Sequence, residues 1–77
     1  MQNIETSVRH LHVGDRLTGS GVTILALGQV HSDPAFRFQK RPRYIYQRHV
    51  RVRNADGEVS VRTWRANTRM RVERAGV

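Results

Sequence analysis

The chain has 77 residues, no cysteine, and fourteen basic against six acidic side chains, giving a formal net charge of +8. That length makes one small domain, 1–77, whose net stability is about 3–5 kcal/mol, and the missing cysteines exclude disulfides and thiolate metal sites. No apolar run approaches the roughly 20 residues of a membrane span, and the N-terminus lacks a basic segment followed by an apolar one, so a cytoplasmic protein without membrane contact is expected.

Residues 1–11 read either as an extended arm or as a short helical turn capped by Thr6 or Ser7 and carrying Val8 and Leu11. "VGDRLTGSG" follows as a strand over 13–18 that ends in a Gly19-Ser20-Gly21 turn. "VTILALGQV", residues 22–30, is the most apolar stretch and predicts a strand over 21–31. Its two parities are both apolar, Val22 and Ile24 on one and Leu25 and Leu27 on the other. This pattern suits a strand that bends, with Gly28 marking the bend or a bulge.

"HSDPAFRFQKRPR", residues 31–43, reads as a loop because Pro34 and Pro42 interrupt pairing. One of Phe36 and Phe38 is expected to fold back onto the core. "YIYQRHVRVR" and "EVSVRTW" flank the turn sequence "NADG" and predict a hairpin of strands 44–53 and 58–64. Pairing Arg53 with Glu58 puts Val52 opposite Val59 and Val50 opposite Val61, all four inward. His49, Arg51, Arg53 and Arg62 then face outward. The same register sets Trp64 opposite Gln47 on the basic face and turns Arg48 inward, which is costly without a partner. A bulge near residues 47 and 48 relieves that cost, turning Ile45 inward and Tyr44 and Tyr46 out. "RANT", residues 65–68, reads as a short turn. The last strand, 69–73, carries Met70 and Val72 inward, and 75–77 is a frayed tail.

The expected fold class is therefore all-β: a small five-stranded antiparallel barrel over 12–74. The order of a long second and third strand, a tight hairpin and a short turn before the last strand resembles SH3-like barrels. "VGDRLTGSGVTILALGQV" is similar to the KOW motif of ribosomal and transcription proteins, a glycine-punctuated strand pair. The resemblance implies the fold and assigns no site residue.

Catalysis finds little support. Asp15, Asp33, Asp56 and Glu58 occupy turn positions, no nucleophile elbow is present, and no glycine-rich phosphate loop leads to a lysine. No cofactor or metal is expected, since His10, His12, His31 and His49 are scattered and structural zinc sites prefer cysteine-containing sets.

Charge is the informative feature. Residues 1–36 hold Arg9 and Arg16 against Glu5, Asp15 and Asp33, a net of −1, whereas residues 37–77 hold twelve basic residues against Asp56, Glu58 and Glu73, a net of +9. Such concentration points to a polyanionic partner. Thirteen of the fourteen basic residues are Arg, the better bidentate phosphate ligand, although a GC-rich genome favours Arg codons whatever the function. The candidate binding set is Arg37, Lys40, Arg41 and Arg43 on the loop, with Tyr44, Tyr46, Arg48, His49, Arg51, Arg53, Arg62 and Trp64 on the hairpin. Cations displace counterions from phosphates, and interleaved rings stack on bases.

The expectation is a small nucleic-acid-binding protein without enzyme activity, with double-stranded DNA favoured over RNA and little sequence specificity. The alternatives are an RNA-binding barrel and a protein-interaction module, such as a phage or mobile-element accessory protein binding an acidic partner. The chain is expected as a monomer or a small homo-oligomer. Trp64 and the tyrosines are open between core and ligand-facing roles.

Overall fold

Alternating apolar and charged residues dominate the second half of the chain, and a computed structural model shows them forming long antiparallel strands; it describes residues 2–34 and 44–75. The strands are β1 (Gln2–Ser7), β2 (Arg16–Leu17), β3 (Thr23–Pro34), β4 (Tyr44–Arg53), β5 (Val59–Arg65) and β6 (Arg69–Arg74), with a 3-10 turn at Val8–His10. They form one sheet in the order β1-β6-β2-β3-β4-β5. Every ladder is antiparallel. Among the described residues no ladder joins β1 to β5, so the sheet is open. Residues 66–68 carry the chain from the β5 edge to β6, and their carbonyls at Ala66 and Thr68 accept the N–H groups of Arg9 and Val8, both at 3.0 Å. No helix among the described residues is long and apolar enough to cross a membrane.

There are six strands where five were expected, because residues 2–7 pair along β6. The reason is complementary alternation. Ile4 and Thr6 lie opposite Val72 and Met70, while Glu5 lies opposite Arg71 and binds Arg69 at 2.9 Å. The helical reading survives only as the turn at Val8–His10, which buries Val8 and is followed by buried Leu11.

In β3, register shifts lie between Ile24 and Ala26 and between Leu27 and Val30. Each inserts one extra residue, so Ile24 and Leu27 both face β4's core parity, opposite Val52 and Val50. The two bulges thus explain how a strand apolar on both parities serves one core. β3 also runs through His31–Pro34, which the sequence reading placed in a loop. Among the described residues β2 pairs with β3 only at Thr23, so no described ladder uses the side of β3's far half away from β4, and Pro34 there costs no described ladder bond. The expectations for Phe36 and Phe38 fall on residues 35–43, outside the described residues.

The hairpin β4–β5 corrects the predicted register. Arg53 pairs with Val59, Val52 with Ser60, Arg51 with Val61 and Val50 with Arg62. The turn causes the shift: Asn54 N–H donates to the Glu58 carbonyl at 2.7 Å, leaving Ala55, Asp56 and Gly57 as a three-residue loop with Gly57 at φ +92°. A three-residue loop closed by a left-handed glycine changes the pairing by one relative to the predicted turn, and one step exchanges the faces of β5. Val50 and Val52 are core, but Val59 and Val61 are 50% and 61% exposed. The core is Val8, Leu11, Val22, Ile24, Val50, Val52 and Val72, with Ile4, Leu17, Leu27, Trp64 and Met70 packed against it.

Candidate functional site

Cross-strand partners share a face, so the register sorts the hairpin side chains into two sets. The inner parity of β4 and β5 holds Arg48, Val50 and Val52 with Ser60, Arg62 and Trp64; the outer parity holds Gln47, His49, Arg51 and Arg53 with Val59, Val61, Thr63 and Arg65. The predicted single basic face is therefore divided.

Arg48 is on the inner side, as its parity requires, but no bulge in β4 relieves it: the β4–β5 register is continuous from Gln47 to Arg53. The guanidinium is instead satisfied by backbone. Its Nε donates to the Gly28 carbonyl at 2.6 Å, and its Nη1 donates to the carbonyls of Val8 and Arg9, each at 3.0 Å. Three carbonyl acceptors engage the cation and make it a structural group. Trp64 lies opposite Arg48, not Gln47, and is half-buried against the core. Arg62 lies opposite buried Val50, is exposed, and donates from Nη2 to Asn54 Oδ1 at 3.1 Å. The slip of one residue thus removes Arg62 and Trp64 from the outer face.

Arg51 and Arg53 do stand together on that face, exposed, and Arg65 joins them there through its pairing with Gln47. The sequence places Arg65 in the turn after the hairpin; the signal that finds it on this face is its even spacing from Val59 and Val61. Within the described residues neither a hydrogen bond nor an ion pair engages the guanidinium of Arg51, Arg53 or Arg65. His49 is exposed, bonded through Nδ1 to Thr63 Oγ1 at 2.8 Å, and its ring stacks on that of His31 with centroids 4.8 Å apart. This pair brings two imidazoles onto the basic face, yet no group of three His, Cys, Asp or Glu side chains suited to a metal exists among the described residues. His10 is in the 3-10 turn and His12 beyond it, so the two do not share a strand face.

Tyr46 is 49% exposed at the far end of β4, on Arg48's parity. The Arg9 guanidinium lies 5.4 Å from its ring centroid. Arg37, Lys40, Arg41 and Arg43 lie outside the described residues, and Tyr44 is described only as the first residue of β4.

Other arginines are neutralised within the protein. Arg74 grips Asp15 with Nε on Oδ1 at 2.9 Å and Nη2 on Oδ2 at 2.8 Å. Asp15 is buried and also accepts the His12 N–H at 2.9 Å. Burial pushes its carboxyl pKa up, but the Arg74 hydrogen bonds, the His12 N–H and the nearby positive charge outweigh this and hold it below the ordinary aspartate value. Glu5 likewise titrates below the ordinary glutamate range because Arg69 donates to it and sits beside it as a charge.

Compared with protein-family models, with curated proteins and with solved structures, the chain matches none.

Proposed function

We propose that the chain binds nucleic acid without catalysing a reaction, with double-stranded DNA of little sequence specificity as the ligand, through the outer face of β4 and β5. One observation carries this reading: Arg51, Arg53 and Arg65 share an exposed face and have no ion-pair partner among the described residues, while Arg48, Arg69 and Arg74 are each engaged within the protein. Unpaired cations on one side repel one another, and phosphates relieve that repulsion while releasing condensed counterions. Arg37, Lys40, Arg41 and Arg43, between β3 and β4 in the sequence, are read as adding to this charge.

The test is affinity for a duplex oligonucleotide as salt rises. If about five phosphates are neutralised, log affinity falls with log salt at a slope near −4.5; replacing Arg51, Arg53 and Arg65 together by Ala reduces that slope by about 2.7. Binding indifferent to salt, or a triple variant with unchanged affinity, rejects the reading.

A second reading rests on Val59 and Val61, which leave apolar surface beside the arginines. An acidic protein segment with apolar residues at alternate positions suits such a strip. Val59→Ser with Val61→Ser would weaken a synthetic acidic peptide of that pattern while sparing duplex DNA.

A further inference from the structure

The end of β4 carries a feature that a duplex does not use. Tyr46 is half exposed, and named contacts hold its backbone and one cation beside its ring. The carbonyl of Tyr46 accepts the Ala66 N–H at 2.8 Å, fixing β4 against the turn after β5. The Arg9 guanidinium lies over the ring, 5.4 Å from its centroid, and its Nε donates to Asn67 Oδ1 at 3.2 Å. The cation is thus tethered from the turn and favours one orientation of the ring beneath it. A hollow of about 260 Å³ is bordered by Ile45, Tyr46, Arg65 and Asn67. Arg65, whose side chain has no hydrogen bond or ion pair among the described residues, stands at its rim.

A half-exposed ring, braced by a tethered guanidinium and bordered by a hollow and an exposed cation, matches the components of a single-strand stacking platform. The bases of an intact duplex are already stacked on each other, so their faces are not available to Tyr46. Trp64, the other ring that sequence reasoning offered for stacking, is committed to the core.

We infer that this hollow receives one unpaired nucleobase, stacked on the Tyr46 ring, with its neighbouring phosphate on Arg65. The inference rests on the nucleic-acid reading above and adds to it a preference for strand ends, gaps or loops. Arg9 and Asn67 act as positioning residues for the ring. The site reads the π-face of a base and accepts any base identity. An unpaired base comes from DNA or RNA, and the two are separated by the ligands used.

The experiment uses the whole chain with three probes: a short single-stranded DNA containing 2-aminopurine, the RNA of the same sequence and label, and a fully paired duplex carrying fluorescein. Stacking on Tyr46 quenches 2-aminopurine on binding. Tyr46→Leu weakens the single strands by about 5- to 150-fold, the range for losing one base–aromatic stack, and lowers the ratio of single-strand to duplex affinity; Tyr46→Phe restores both. Loss for DNA alone or RNA alone identifies the source. Equal loss for duplex and single strands, or Tyr46→Leu binding single strands as tightly as wild type, overturns this inference alone. Failure of all three probes to bind overturns it together with the outer-face reading.

Discussion

The Nε of Arg48 donates to the carbonyl oxygen of Gly28 at 2.6 Å, joining β4 to the second bulge of β3. The same guanidinium reaches the carbonyls of Val8 and Arg9 in the 3-10 turn. One cation therefore ties three segments that are far apart in the chain. Its charge is satisfied by carbonyl dipoles, which leaves the more exposed arginines as the groups available to an external anion.

Arg48→Met keeps most of the stem but leaves those carbonyls without their charged donor. The variant loses about 3 kcal/mol of stability, a large part of what a domain this size has. Urea unfolding measures the loss. At temperatures where the variant is folded, its duplex affinity stays close to wild type, whereas Arg51→Ala shows the opposite pair of effects.

Gly28 is required by proximity, not by its own backbone angle. A Cβ placed there would lie 2.9 Å from the His49 carbonyl oxygen, a backbone atom that cannot rotate away. Gly28→Ala forces β3 and β4 apart and costs about 1–3 kcal/mol. A thermal melt reads this as a midpoint lowered by about 4–8 °C for each kcal/mol.

Asp15 links stability to acid. Its folded carboxyl titrates below the ordinary value of 3.8, so the unfolded chain takes up the proton first as pH falls. The stabilisation is complete above that ordinary value and disappears as pH drops through the lower, folded value. Asp15→Asn removes this part of the acid transition and leaves Arg74 facing a neutral group. Arg74 keeps contact with solvent and Asn still accepts a hydrogen bond from it, so the loss at neutral pH is about 1.5–3 kcal/mol, the worth of a charged hydrogen bond. Unfolding followed from pH 7 down to pH 2 tests both statements, and an acid limb unchanged in the Asn variant contradicts the first.

The four hairpin valines divide into two pairs. Val50→Ala and Val52→Ala each remove buried surface and cost about 1.5–3 kcal/mol. Val59→Thr and Val61→Thr, on the exposed outer face, stay within about 0.5 kcal/mol of wild type. Comparable losses at all four positions would restore the register that the sequence suggested.

Much of the architecture was legible along the chain. The alternation of Val50 and Val52 with Arg51 and Arg53, the turn around Gly57 and the burial of Val72 follow from side-chain period and from glycine's freedom, both local properties; the irregularity at Gly28 was legible as a glycine inside a strand, but its cause, the His49 carbonyl, was not. Arg51 and Arg53 as outward cations follow from the same alternation. The place of Arg65 on the outer face and the commitment of Arg48 were not legible, because each depends on what lies across a strand or beyond the sheet.

Sequence by itself determined an antiparallel β protein with its positive charge gathered in one half, since period and composition need no partner to be read. Tertiary structure decided which cations remain available. A single residue in the Asn54–Glu58 connection sets the phase of β5, moving Val59 and Val61 outward and Arg62 and Trp64 to the inner parity. Distant carbonyls and carboxylates then engage Arg48, Arg69 and Arg74. Charge is a property of each residue, but its availability is a property of the contacts that folding makes.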